Sequence, residues 1–191
     1  MATSVSKLLG WVLLACLSLP GFGYASDSLA WDALREGRAL LLLRHASAPG
    51  FGDPPGFQLG DCTTQRNLSE QGREESRRWG ELLRRQGIER PRLFSSRWCR
   101  ARDTAKEMGL GAVAPLPALD SVFASRARAW PQTEELLAQV NGLAQGAPMV
   151  LVSHQVNISV LTGIHPASGE GLILALPLGA PAQVLARIPA P

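Results

Sequence analysis

The chain has 191 residues, of which 46% are hydrophobic and 18% charged, and its formal net charge is +3. These values are typical of an ordinary globular protein with one domain, and they exclude a disordered or fibrous chain. A charge this close to balance also argues against nucleic acid as a partner.

Residues 1–25 have the layout of a secretory signal peptide. A basic residue precedes an apolar stretch over residues 8–19, a Pro-Gly break follows, and small residues lead to Ala25. The apolar stretch is short for a membrane span. We therefore predict cleavage after Ala25, a folded domain over residues 26–191 and a periplasmic or secreted location. No stable membrane insertion is expected after signal removal.

Two cysteines, Cys62 and Cys99, would reach an oxidising compartment if the protein is exported. Disulfides persist in such compartments, so we predict a bond between them. The alternative is two unpaired buried thiols, because the sequence does not show whether the two Cα atoms approach each other. A third cysteine, Cys16, offers a lipid anchor as an alternative to a fully soluble product. The apolar residues that follow Cys16 count against that alternative.

Short apolar runs and helical patterns alternate along the remaining chain. Buried strands are predicted at residues 39–44, 92–95, 149–153 and 171–176, with a further strand beyond a turn at 179–181. Helices are predicted from Ser69 as N-cap to Gly87, from about residue 98 to 108, from 133 to 144, and directly after His154. This alternation indicates a three-layer α/β/α domain around a mainly parallel sheet, with an antiparallel edge near the C-terminus.

The segment over residues 46–66 carries no predicted helix or strand and contains three prolines. Loops of this length within a compact domain are usually functional. We expect this segment and residues 120–130 to shape a pocket. Candidate ligand contacts in the second segment are Phe123, Arg126, Arg128 and Trp130.

Arginines and histidines follow the points where predicted strands end. Arg44 and His45 close the first strand, and His154 closes a later one. Arg100 lies near the start of the helix that follows strand 92–95, where backbone N–H groups favour an anion. Because the carboxyl ends of parallel strands meet at one edge of a sheet, these side chains are expected to converge there.

Other chemistries lack the residues that they require. The two rim histidines have no carboxylate or cysteine at ligand spacing, so no metal site is predicted. No G-x-S-x-G sequence surrounds a serine, and no phosphate-binding G-x-x-x-x-G-K-[ST] loop is present. We interpret His165 as structural, and Arg97 and Arg102 as solvated or paired surface residues.

Taken in order, the motifs resemble those of the histidine phosphatase superfamily, which has the phosphoglycerate mutase-like fold. "LLLLRH" matches the first motif, except that Ala46 stands where the family has glycine. "SSRWCRARDTA" matches the second, "VLVSH" the third, and "NLSEQGR" resembles the start of the family's first helix. The matches extend over roughly residues 39–176.

This resemblance implies a phosphatase that requires neither a metal nor another cofactor. His45 would be the nucleophile that forms a phosphohistidine. Arg44 and Arg100 would bind the phosphate oxygens, and a protonated His154 would add a donor. The family often has a glutamate as general acid, and Asp120 is the candidate here. The alternative is that Asp120 only caps a turn.

The sequence therefore predicts an exported phosphomonoester hydrolase that acts on a small phosphorylated substrate. The alternative is a protein without catalytic activity, a module on the same fold that binds a phosphate ligand. Two features motivate this hypothesis: Ala46 stands in place of glycine, and the general acid is not identified with certainty by the motifs. A third hypothesis is a dedicated phosphatase for cell-envelope sugar phosphates. Only the predicted location favours it.

Overall fold

The structure is a computed structural model that describes residues 23–143 and 146–191. Residues 1–22 of the predicted signal peptide (1–25), Cys16 among them, lie outside the described residues, and residues 23–25 begin the first helix. Signal removal and the lipid anchor therefore stay predictions. Within the described part of the chain, no helix is both long and apolar enough to cross a membrane.

Five helices and six strands make up the described chain. In order they are α1 (Gly23–Arg35), β1 (Ala39–Arg44), α2 (Glu70–Arg85), β2 (Arg92–Ser95), α3 (Cys99–Glu107), β3 (Val113–Pro115), α4 (Ala129–Gly142), β4 (Met149–Ser153), α5 (Gln155–Thr162), β5 (Gly171–Ala175) and β6 (Val184–Ile188). Single 3-10 turns occur at Cys62–Thr64, Pro117–Leu119 and Arg126–Arg128.

The six strands form one sheet in the order β3-β2-β4-β1-β5-β6. The pairs β1–β4, β4–β2 and β2–β3 are parallel, whereas β5 pairs with β1 and β6 in antiparallel fashion. The predicted mainly parallel sheet with an antiparallel C-terminal edge is therefore confirmed.

Helices cover both faces of the sheet because β1, at its centre, is apolar on both sides. Leu41 and Leu43 point into a core shared with α1, α2 and α3. Leu40 and Leu42 point into the opposite core, which α4 and α5 complete. This arrangement is the predicted α/β/α domain, and burial on both faces explains why β1 is a continuous leucine run rather than an alternating pattern.

Helix α2 begins where the sequence predicts. The Ser69 side chain accepts a hydrogen bond from the backbone N–H of Gly72 over 3.0 Å, which satisfies one of the free donors in the first turn. The apolar side of α2 places Trp79 and Leu83 in the core, and both are fully buried.

Three elements differ from the sequence-based expectation. Helix α1 is an additional element, in which Ala30, Trp31 and Leu34 recur at helical spacing and are buried. Strand β3 is also additional; it has three residues and ends in a proline, so neither its length nor its composition predicts a strand. Helix α4 begins at Ala129 rather than at residue 133, because Pro131 occupies the first turn, where no intrahelical N–H bond is lost.

Candidate active site

The parallel pairing of β1 and β4 brings two histidines to the same edge of the sheet. Arg44 stands beside Ser153 in the register, and the backbone N–H of His45 donates to the Ser153 carbonyl over 3.0 Å. His154 follows Ser153 directly. The rings of His45 and His154 consequently meet edge to face, with centroids 5.4 Å apart.

The His45 ring has a defined tautomer. Its Nδ1 lies 2.8 Å from the backbone oxygen of Ala46, which can only accept, so Nδ1 carries the proton and Nε2 keeps its lone pair. Burial lowers the pKa of His45 to about 3; the hydrogen bond to Ala46 opposes that shift, and nearby arginines add to it. The side chain is therefore a neutral imidazole at neutral pH.

Ala46, which stands where the family that the sequence resembles has glycine, shows no backbone strain. None of the described residues other than glycine has a positive φ, so this position does not use the conformation that favours glycine. The backbone N–H of Ala46 donates to the Thr104 hydroxyl over 3.0 Å, which ties the end of β1 to α3.

His154 is also neutral in the free pocket. Its Nε2 lies 2.8 Å from the Ser96 hydroxyl, which itself donates to Asp120 over 3.3 Å. A hydroxyl has one proton to donate, so the Nε2–H of His154 donates to Ser96 and Nδ1 is the bare nitrogen. Burial, followed by the proximity of His45 and the arginines, lowers the pKa of His154 well below its ordinary value. The protonated His154 expected from the sequence therefore requires a bound anion.

Three arginines surround the two histidines: Arg44, Arg66 and Arg100. Arg44 donates to the Pro166 carbonyl over 2.9 Å, and Arg66 donates to the carbonyls of Ala48 and Gly52. Burial, and next the positive charge of Arg100, lowers the pKa of both Arg44 and Arg66. Such mutual repulsion marks a site with unbalanced positive charge, which an anion would relieve.

Hydrogen-bond donors without a partner also indicate that the pocket binds an anion. Within the described chain, the Nε atoms of Arg44 and Arg100 are buried and have no hydrogen-bond partner. Buried polar atoms normally have one. A phosphate group, with several acceptor oxygens, suits this set of donors.

Arg66 is not singled out by the sequence. It stands directly before the "NLSEQGR" motif, at the end of the long segment that is expected to shape the pocket. That position is the available signal, but an arginine in a loop is ordinarily a surface residue.

The long segment over residues 46–66 forms much of the pocket wall, as expected. Gly50, Phe51, Gly52 and Asp53 line the pocket from this segment, and Ser121, Phe123, Gln155 and Val156 line it from elsewhere. Phe51 is 87% exposed and contacts Phe123 with ring centroids 5.1 Å apart. The other candidate contacts from the sequence, Arg126, Arg128 and Trp130, do not line it.

The Cys62–Cys99 disulfide is present, with the two Cα atoms 5.8 Å apart. It joins the long segment to the first residue of α3, next to Arg100. The predicted bond is thus confirmed, and it couples the pocket wall to a phosphate-binding candidate.

Asp120 is not brought into the pocket. Its carboxylate accepts hydrogen bonds from the backbone N–H and the Nε of Arg97, each over 2.8 Å, and forms an ion pair with the same guanidinium. It lines a separate depression beside Arg97. A carboxylate that does not line the pocket of His45 is poorly placed to protonate a leaving group there, which counts against the predicted role as general acid. Arg97 is therefore paired with Asp120.

No metal centre is formed by the described residues, among which no three His, Cys, Asp or Glu side chains could hold an ion together.

Comparison with known proteins agrees with this geometry. Residues 40–121 match the family model of the histidine phosphatase superfamily (branch 1). Among curated proteins, none matches the sequence.

Several solved structures share the fold. The protein histidine phosphatase SixA complexed with tungstate is 20% identical, with a TM-score of 0.55 over 80% of this chain and 97% of that one. The product of open reading frame Rv3214 from Mycobacterium tuberculosis is 18% identical, with a TM-score of 0.57 over 80% and 98%. Phosphoserine phosphatase from Entamoeba histolytica, in complex with 3-phosphoglyceric acid, is 13% identical, with a TM-score of 0.57 over 78% and 96%. At these identities the likeness is one of fold.

Proposed function

The chain belongs to the histidine phosphatase superfamily, and from that premise we propose that it is an exported phosphomonoester hydrolase that acts through a phosphohistidine on His45. The observation that carries the proposal is the tautomer of His45. Its Nδ1–H is held by the Ala46 carbonyl, so Nε2 offers a lone pair inside a pocket with three arginines. A neutral nucleophile beside fixed cations is what attack on a phosphate ester requires.

The arginines supply electrostatic stabilisation of the reacting phosphoryl group. Arg44, Arg66 and Arg100 bind its oxygens, and their charges offset the charge that develops as the group is transferred. The bound phosphate also favours a proton on Nδ1 of His154, whose pKa is lowered when the pocket is free. His154 then becomes a further donor to the phosphoryl oxygens.

Two features support export to the periplasm or outside the cell. The first 25 residues have the pattern of a secretory signal. The Cys62–Cys99 disulfide is of a type that persists in oxidising compartments. The expected substrate is a small phosphorylated molecule, because the pocket combines arginine and histidine side chains that suit a phosphate group with two phenylalanines that can contact the rest of the molecule.

The test is turnover of a generic aryl phosphate by the purified protein and by the His45→Ala variant. We expect phosphate release and an acid-labile, base-stable phosphoenzyme from the wild type, and neither from the variant. His165→Ala is the matched control, because His165 is exposed and does not line the pocket. Equal phosphate release from wild type and His45→Ala would refute the proposal.

The same experiment decides between hydrolase and binding module. A non-catalytic module would bind inorganic phosphate tightly yet release no product and form no phosphoenzyme. A panel of phosphorylated sugars, nucleotides, inositols and peptides then identifies the substrate class. The panel includes cell-envelope sugar phosphates, because the predicted location favours them.

A further inference from the structure

One carboxylate lies inside the pocket that holds both histidines. Among the described residues that line this pocket, Asp53 is the sole aspartate or glutamate. Its Oδ1 accepts a hydrogen bond from Arg100 Nη1 over 2.6 Å, and its Oδ2 accepts one from Trp98 Nε1 over 3.0 Å. The side chain is 18% exposed, whereas that of Arg100 is 3% exposed.

Asp53 lines the pocket close in sequence to the pocket mouth. His45 follows a fully buried strand and is 3% exposed, so it forms the floor. In an in-line displacement the leaving oxygen lies opposite the nucleophile, toward the mouth. Phe51 marks that mouth, and Asp53 follows it by two residues on the same segment.

The other polar groups in the pocket do not suit the role of proton donor. Ser121 and Gln155 are not acids at neutral pH. The Nε2–H of His154 donates to Ser96, and with phosphate bound the Nδ1–H donates to the phosphoryl oxygens rather than to the leaving oxygen in the proposed function. Asp120 is held by Arg97 outside the pocket.

From this geometry we infer that Asp53 is the general acid and base of the reaction, an inference that rests on the proposed function. In the first step His45 Nε2 forms a bond to phosphorus, and the bond from phosphorus to the ester oxygen breaks with its electron pair on that oxygen. The protonated carboxyl of Asp53 gives its proton to the oxygen, which leaves as an alcohol.

The second step reverses these roles. A water molecule forms a bond to phosphorus, its proton passes to the Asp53 carboxylate, and the N–P bond breaks with its electrons returned to Nε2. Inorganic phosphate is released, and both Asp53 and His45 regain their starting protonation states.

The guanidinium of Arg100 connects Asp53 to the place where a phosphate group would bind. Arg100 Nη1 donates to Asp53 Oδ1 over 2.6 Å, so a phosphate group held by Arg100 lies next to the carboxyl group of Asp53.

The experiment compares two leaving groups in the Asp53→Asn variant. A nitrophenyl phosphate needs little help from an acid, because nitrophenolate is a stable anion, whereas a simple alkyl phosphate needs a proton on its leaving oxygen. We expect kcat/KM for the alkyl ester to fall by about a hundredfold or more and that for the nitrophenyl ester by less than about tenfold. Asp120→Asn is the matched control and should leave the ratio of the two kcat/KM values unchanged.

Each outcome has a definite meaning. Equal losses with both esters would overturn the inference and make Asp53 a residue that only positions Arg100. A selective loss in Asp120→Asn but not in Asp53→Asn would assign the acid to Asp120. Asp53→Glu retains a carboxyl and should recover part of the alkyl ester activity that Asp53→Asn loses. A loss caused by misfolding would not be recovered selectively for this ester. If the proposed function fails, neither the wild type nor Asp53→Asn will hydrolyse the nitrophenyl ester. If only this inference fails, the wild type will still hydrolyse that ester, so the two failures are distinguishable.

Discussion

His45 and His154 face each other edge to face at the end of two adjacent parallel strands, with 64° between the ring planes. Both are buried, and three arginines surround them, so neither ring is charged in the free pocket. The proximity of two uncharged imidazoles to three guanidinium groups, of which Arg100 is paired with Asp53, has measurable consequences.

The first prediction concerns stability against acid. The pKa of His45 is about 3 in the folded protein and about 6.5 in the unfolded chain, so between these values the unfolded chain binds more protons. The contribution of the neutral His45 to stability is therefore fully present above pH 6.5 and lost progressively toward pH 3. From pH 7 to pH 5 we expect the His45→Asn variant to lose about 2 kcal/mol less free energy of unfolding than the wild type. Urea denaturation at the two pH values measures this, and equal losses would contradict a neutral buried His45.

The second prediction concerns Arg66, which the sequence alone does not identify. Arg66→Gln keeps much of the side chain's length but removes one of the three guanidinium charges that line the pocket. We expect inhibition by inorganic phosphate to weaken roughly ten- to a hundredfold, because hydrogen bonds to charged groups contribute about 1.5 to 3 kcal/mol. Arg85→Gln is the control, since Arg85 lies on the exposed side of α2. Unchanged phosphate inhibition in Arg66→Gln would place Arg66 outside the site.

The third prediction concerns the disulfide. Cys62 and Cys99 are separated by 37 positions, and a loop of this size corresponds to about 4 kcal/mol of unfolding free energy in the chain-entropy model. The Cys62→Ser/Cys99→Ser double variant should lose about that amount, and reduced wild type should resemble it. Alkylation of unfolded, unreduced protein followed by peptide mass analysis checks the bond directly. Labelled Cys62 and Cys99 peptides would show that it is absent.

The fourth prediction concerns Gly72, the glycine of the "NLSEQGR" motif. A Cβ at this position would lie 2.1 Å from the carbonyl oxygen of Ser47, which is far too close. Gly72→Ala must therefore displace the start of the pocket segment, two residues from His45. We expect a loss of about 1 to 3 kcal/mol in stability together with a lower kcat/KM.

A second helical glycine supplies the control for that prediction. Gly142, in α4, has open space where the methyl group of an alanine would lie, and its backbone has no positive φ. Gly142→Ala should be neutral or stabilising by up to about 1 kcal/mol, because alanine favours helix. Similar losses in the two variants would show that the contact with Ser47 is not the cause.

Much of the architecture could be predicted because the relevant signals are local. The leucine run at β1, the N-cap at Ser69 and the apolar strand before His154 each specify an element without reference to the rest of the chain. Strand β3 could not be predicted in this way. It has three residues and forms by pairing with β2, a long-range contact that leaves no periodic pattern in the sequence.

The candidate site shows the same division. Arg44, His45 and His154 end buried strands, and their convergence follows from the parallel sheet. The sequence pointed to Asp120 through the family resemblance and gave no signal for Asp53, which is an aspartate within a long irregular segment. Ion pairing separates them: Asp120 with Arg97 outside the pocket, and Asp53 with Arg100 inside it.

The sequence by itself determined every strand except β3, the helices α2 to α5 and the motif residues, because hydrophobic periodicity and capping act over a few neighbouring positions. Only the tertiary structure decided which charged side chains share the pocket. Packing of the 46–66 segment against α3, fixed by the Cys62–Cys99 bond, brings Asp53 to Arg100 and closes the wall beside Arg66. Those contacts join residues distant in sequence, and their electrostatic effect depends on burial that only the folded chain provides.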